Sequence, residues 1–219
     1  MKNKIIPVNP SISDNEGANA LGWLEYNLND QQIDYVWRCI KNKKQDYRGK
    51  LAGHLSASYS LFDRADWFFK DVISPLLDRY ATEYENLARK FPTRRSHPVY
   101  MQEWWVNYQK QGEFNPLHDH GGVYSFVIWM KIPFDWEDQN NSTSIGGKSN
   151  AAEVSTFQII YSNIIGETRN YDYRLSKADE GKMIFFPARL RHQVYPFYNC
   201  DEDRISVSGN IGLDTGRGA

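Results

Sequence analysis

Residues 123–132 form a nearly continuous apolar run of β-branched and aromatic side chains. Such a run reads as a strand buried on both faces, because a half-exposed strand alternates polar and apolar positions. Any fold that accepts it must cover it on two sides. The sequence around it changes character at Pro98. Before that point the apolar periodicity is helical. After it the chain is cut into short strands by turn residues.

Upstream, Ile33, Val36, Trp37 and Ile40 recur at helical spacing over residues 30–43, with Asp30 as the N-cap. The longest helical pattern covers 61–90 and includes Trp67, Phe68, Ile73, Leu76 and Leu77. Pro75 interrupts it, giving either two helices or one kinked helix. Residues 1–20 read as a strand fragment and a loop, and 45–60 as a loop. Downstream, strands are expected over 99–110, 154–161, 171–175, 182–186, 192–196 and 204–211. Many short strands with turns between them argue for a closed or double-sheet β architecture. The helices come first, so they are expected to pack on the outside of one sheet. A chain of 219 residues suits one domain. In it, 1–97 is the mostly helical part and 98–212 the β core. The polar stretch 136–155 is expected to be mobile. Together with the loop near His54, it is a candidate substrate lid.

Composition narrows the partners. A net charge of −1 gives no reason to expect nucleic acid or an anionic membrane. Two distant cysteines, Cys39 and Cys200, argue against a disulfide framework and for a reducing, cytoplasmic setting. No window has the apolar length of a membrane span. A homodimer stays open, given the supply of aromatic side chains.

Five histidines occur in the chain, and three fall in two segments that read as strand edges. His118 and His120 are two residues apart, so on a strand they face the same way. A lone histidine is more often a hydrogen-bonded core residue than a ligand. Two together would each need a partner and would both have to stay neutral, a need that one shared metal satisfies. His192 on another strand would complete a three-nitrogen face. On its own it would read as an exposed polar residue at a strand start. In Arg204-Ile205-Ser206 the cation and the hydroxyl share a face, which suits a carboxylate. The bland alternative is a surface arginine paired with Asp201 or Asp203.

The run Asn115-Pro116-Leu117-His118-Asp119-His120, the segment from Phe185-Phe186-Pro187 to His192, and Arg204-Ile205-Ser206-Val207-Ser208-Gly209-Asn210 carry a resemblance. They look like the iron(II)- and 2-oxoglutarate-dependent oxygenases of marine bacteria and tailed phages, and more distantly like prolyl hydroxylases. The resemblance covers roughly 104–211. It implies a double-stranded β-helix (jelly roll, cupin-like) with the metal near its mouth. It also implies Fe(II) as metal, 2-oxoglutarate as cosubstrate, and release of succinate and CO2. His118 and His192 would be ligands, and Arg204 with Ser206 would hold the far carboxylate of 2-oxoglutarate. The broad superfamily places Asp or Glu two residues after the first histidine, where this chain has His120. His120 is therefore the expected second ligand, with Asp119 as the minority alternative should a bulge turn it inward. Asn107 is a further candidate contact to 2-oxoglutarate or to a metal-bound water, with Tyr108 as the alternative if the register differs by one.

The substrate is expected to be a small molecule or a peptide. Two other functions compete. One is a cupin-like three-histidine metalloenzyme without 2-oxoglutarate, in which Arg204 and Ser206 need not face the metal. The other is a non-catalytic jelly-roll binding or structural protein, in which the histidines need not converge.

Overall fold

A computed structural model describes residues 4–9, 22–93, 96–141, 145–163 and 165–216. Most of the segment read as an N-terminal loop lies outside the described residues. Among the described residues, eleven strands form two antiparallel sheets. They are β1 (Ile5–Val8), β2 (Trp23–Asn27), β3 (Ala57–Ser60), β4 (Val99–Gln109), β5 (Asn115–His118), β6 (Tyr124–Lys131), β7 (Phe157–Ser162), β8 (Thr168–Tyr173), β9 (Lys182–Pro187), β10 (Arg191–Val194) and β11 (Arg204–Leu213). The large sheet runs β1-β2-β9-β6-β11-β4-β3 and the small one β5-β10-β7-β8. The two sheets face each other as in a jelly roll. β3 falls inside 45–60, where a loop was expected.

Strand β6 sits in the middle of the large sheet, between β9 and β11. Its alternate residues divide cleanly. Tyr124, Phe126, Ile128 and Met130 join the helices in one core, while Val127 and Trp129 join residues of both sheets in another. The apolar run is thus covered on both sides, as its composition requires. β9 divides the same way, Met183 and Phe185 outward, Ile184 and Phe186 inward. β11 differs: Val207 and Ile211 face the helices, but Arg204, Ser206, Ser208 and Asn210 face the space between the sheets. That polar strip keeps part of the interior from closing. Gly209 is needed on the outer face, because a Cβ there would lie 2.6 Å from the Phe126 ring.

Helix α1 (Asp30–Lys41) begins one residue earlier than the apolar pattern suggested. Asn29, not Asp30, is its N-cap, in a reciprocal box with Gln32. The second helical stretch is neither two helices nor a simple kink. Residues Phe69–Ile73 form a π-helical turn that runs into α2 (Ser74–Glu83). The Ser74 N–H reaches back five residues to the Phe69 carbonyl. This wider turn comes just before Pro75, which cannot donate and whose ring crowds the preceding turn. Phe68, Val72, Ile73, Leu76 and Tyr80 form the buried face. Phe68 stacks on Trp104 with centroids 5.2 Å apart, and Tyr80 meets Tyr124 at 5.1 Å. Trp67 and Leu77, expected in that face, lie at its margin, where Trp67 packs on Tyr35 at 4.3 Å. Among the described residues, no helix is long and apolar enough to cross a membrane.

The stretch 136–155 is tethered at its described ends. It opens with helix α3 (Trp136–Asn141). Gln139 exchanges two hydrogen bonds with the Tyr198 backbone, both 2.8 Å. Asn140 donates to the carbonyls of Trp136 and Val154, each at 3.0 Å. Buried amides so paired hold backbone against backbone.

Because the helices cover the sheet from outside, Phe68→Ala should cost about 3–5 kcal/mol, the usual range for truncating a buried aromatic. Denaturant unfolding measures that loss, and cobalt binding to the folded fraction should be unchanged. A cost under about 1 kcal/mol, or a change in metal affinity at full folding, would contradict the division between scaffold and site.

Candidate metal centre and anion pocket

His118 and His192 are direct cross-strand partners on β5 and β10, and their rings lie 4.3 Å apart. Both strands belong to the small sheet. His120 arrives differently from the expectation of two histidines on one strand. β5 ends at His118, and the His120 N–H donates 2.9 Å to the Ala188 carbonyl, between β9 and β10. The chain then turns through Gly122 at φ +97°, where a Cβ would come 2.7 Å from the Ile211 carbonyl oxygen. His120 still lands beside the others, 5.1 Å from His118 and 4.8 Å from His192 between centroids. One nitrogen from each ring falls within 4.8 Å of the other two.

Each ring's proton is assigned by its partner. His118 Nδ1 lies 2.7 Å from the Pro116 carbonyl and His192 Nδ1 2.9 Å from that of Leu190. A carbonyl oxygen only accepts, so both rings carry hydrogen on Nδ1. His120 Nδ1 lies 2.9 Å from Asn210 Oδ1 and 3.0 Å from Ser125 Oγ. The three Nε2 lone pairs are left free. Burial pushes the pKa of all three down, and the neighbouring imidazoles push those of His120 and His192 further. His120 falls to about 4 and His192 well below the ordinary 6.5. All three are therefore neutral at neutral pH, as metal-ligating imidazoles must be.

Asp119 does not join them. It sits at the cavity rim with its carboxylate 3.5 Å from Arg189. No bulge turns it inward; the irregularity in β5 falls earlier, where Val194 pairs with Asn115 instead of Pro116.

The histidines open on a cavity of about 240 Å³ whose walls include Trp105, Asn107, Gln109, Trp129, Arg204 and Ser206. Arg204 is 3% exposed. Its Nε and Nη2 donate to Gln109 Oε1 and its Nη1 donates 3.1 Å to the Ser155 carbonyl. The rings of Phe134 and Phe197 flank it at 5.9 Å. Among the described residues no carboxylate pairs with it, neither Asp201 nor Asp203. Burial alone lowers its pKa, to about 9. A buried guanidinium held by neutral acceptors is an incomplete arrangement, because an unpaired buried charge is costly. Asn107 lines the cavity and accepts 2.7 Å from Ser58 Oγ. Tyr108, the alternative, is excluded by the strand's period of two. It faces the other way, edge-on to Tyr59 at 6.1 Å, with Lys43 Nζ 5.7 Å from its ring.

Residues 103–210 match the family model described as "Putative 2OG-Fe(II) oxygenase". The matched span contains the three histidines, Gln109 and Arg204. Over that span, just under half of the chain, the protein is similar to 2-oxoglutarate/Fe(II)-dependent oxygenases. No curated protein matches the chain. Among solved structures, the chain resembles a prolyl hydroxylase from Trichoplax adhaerens in complex with a hypoxia inducible factor peptide fragment. The two share 10% identity, 97% of this chain and 84% of that one are covered, and the TM-score is 0.50. It also resembles the non-heme α-ketoglutarate-dependent carbocyclase SnoK of nogalamycin biosynthesis, at 9% identity, 88% and 79% coverage and a TM-score of 0.51. At such identities the likeness is one of fold.

Several site residues went unassigned in the sequence. Gln109, which orients Arg204, was within reach of the alternation that selected Asn107. Asn210 stood in the quoted motif without a role. Ser125 and Tyr47 gave no sequence signal. Of the two candidate lids, the early loop reaches the mouth, with Leu51, Ala52, Gly53 and Leu55 in the cavity wall. No residue of 136–155 is in that wall among the described residues.

The depressed histidine pKa values fix the sign of a pH effect. Unfolded imidazoles titrate near 6.5. Below that value the unfolded chain binds protons that the folded, metal-free chain refuses. Stability is complete above pH 6.5 and falls as pH drops toward 4, by up to about 1.4 kcal/mol per unit per group. His120→Asn should therefore gain on the wild type as pH falls through this window in unfolding titrations. A stability difference that stays constant between pH 7 and 4.5 would contradict it.

Proposed function

We propose that the enzyme holds Fe(II) on His118, His120 and His192 and receives the far carboxylate of 2-oxoglutarate on Arg204 with Ser206. The observation that supports this most strongly is the buried, carboxylate-free Arg204 in the same cavity as the three free nitrogens. The donor set suits a divalent first-row metal: three neutral imidazoles, each fixed through Nδ1. Three histidines by themselves would equally suit a cupin-like enzyme without 2-oxoglutarate. Such an enzyme has no use for a buried cation without a carboxylate partner in the same cavity.

When bound, iron and 2-oxoglutarate supply the oxidising equivalent for modifying a substrate, with succinate and CO2 as products. The protein's own contributions are positional. Three of the five N–H groups of Arg204 go to Gln109 and Ser155, leaving two for a carboxylate. Ser206 lines the cavity on the same face of β11. Trp129 and Phe157 form apolar wall and keep water from the reacting centre. Asn107 adds an amide to the same wall.

The substrate enters past residues 51–55. We infer a small molecule or a peptide side chain, a range spanned by the two structural neighbours. Screening candidates for succinate formation above the uncoupled background tests this reading. Succinate from no candidate, together with undetectable 2-oxoglutarate binding, would sink it.

Arg204→Ala should weaken 2-oxoglutarate binding at least tenfold, and to about a hundredfold if both hydrogen bonds are lost. Metal affinity should stay within about threefold of the wild type. Calorimetric titration of each ligand separately gives both numbers. Equal loss of the two, or of neither, would remove Arg204 from its role.

A further inference from the structure

The all-histidine set leaves the metal without the carboxylate ligand that such centres ordinarily carry. The structure shows a carboxylate one step further out. Glu103, Asn210 and Ser125 are direct cross-strand neighbours on β4, β11 and β6, a single row across the large sheet. His120 stands on that row. Asn210 Nδ2 donates 2.7 Å to Glu103 Oε1. Its Oδ1 accepts from Ser125 Oγ at 2.7 Å and faces His120 Nδ1 at 2.9 Å. The other Glu103 oxygen accepts from the Tyr47 hydroxyl, and Tyr47 stacks on Trp105 with centroids 5.7 Å apart.

We propose that Glu103 is a positioning residue for the metal centre. Through Asn210 it holds His120 in the tautomer whose Nε2 lone pair faces the centre, and it lends that ligand negative charge. This rests on the reading that the three histidines hold the metal. The argument follows from donors and acceptors. A carboxylate can only accept, so Asn210 must turn its NH2 toward Glu103 and its oxygen toward His120. The oxygen can only accept, so His120 must carry its proton on Nδ1. For His118 and His192 backbone carbonyls impose the same choice. Only His120 depends on side chains for it. A glutamine at 103 could donate as well as accept. Asn210 would then be free to flip and offer its NH2 to His120, moving the ring proton to Nε2 and spoiling the ligand. Outer partners of this kind are worth 10- to 100-fold in metal affinity.

The test is Glu103→Gln, titrated with Co(II) in the metal-free protein, alongside NMR of 15N-labelled histidine. In the wild type all three rings should be protonated at Nδ1. In Glu103→Gln, Co(II) affinity should fall about 10- to 100-fold. The His120 signals should shift toward the Nε2-protonated form, while those of His118 and His192 should not move. The ligand-field spectrum of bound Co(II) should change in parallel. Glu103→Gln binding Co(II) within about threefold of the wild type would overturn the proposal. So would a wild-type His120 protonated at Nε2, a result that needs no variant to fold. A wild type that binds no Co(II) at all would fail at the underlying metal reading, before Glu103 is reached.

Discussion

Each clustered imidazole gives its Nδ1 proton to an oxygen of the scaffold, and the character of the cavity follows from where those oxygens are. Two belong to backbone carbonyls at the edge of the small sheet, those of Pro116 and Leu190. The third belongs to Asn210 on the large sheet. The histidine cluster thus bridges the two layers of the jelly roll, and its geometry is only as good as their packing. Burial in a low-dielectric site disfavours a protonated imidazole there, while three neutral lone pairs brought together favour a divalent cation. Arg204 on the same strip of β11 is incomplete in the opposite sense, a cation without an anion. An occupant bearing a carboxylate and chelating a metal would complete both.

The same strands that build the site are held by the helices behind them. On β11, Val207 and Ile211 point toward the helical core, while Arg204, Ser206, Ser208 and Asn210 point inward. The polar strip costs the protein interior burial between the sheets. The outer core, with Phe68, Tyr80, Trp104, Tyr124 and Phe185, offsets that cost from the far side. This separation allows the inner face to vary toward chemistry without surrendering the packing that fixes the strands.

Much of this was legible in residue order. The two-sided burial of 123–132 follows from its unbroken apolar run, and the inward alternation of Asn107 on β4 and of Arg204 with Ser206 on β11 follows from a period of two. What was not legible depended on local breaks in that period. His120 lies beyond the end of β5 and reaches the cluster through a bond to Ala188 and a turn that only Gly122 permits. The π-helical turn before Pro75 is a compromise between a helical pattern and a residue that cannot donate. The network of Glu103, Asn210 and Ser125 was hidden because its members lie on three strands far apart in sequence. A register had to be known before they could be seen as one row.

The central claim is that one cavity serves both the metal and the 2-oxo acid. The most direct measurement is anaerobic absorption of the Fe(II)-loaded protein as 2-oxoglutarate is added. Chelation of the 2-oxo acid to iron should produce a weak visible charge-transfer band that saturates with added 2-oxoglutarate and is absent from a His120→Ala variant. Iron bound tightly by the wild type with no band at any 2-oxoglutarate concentration would contradict the account, leaving a three-histidine metal site that does not use this cosubstrate.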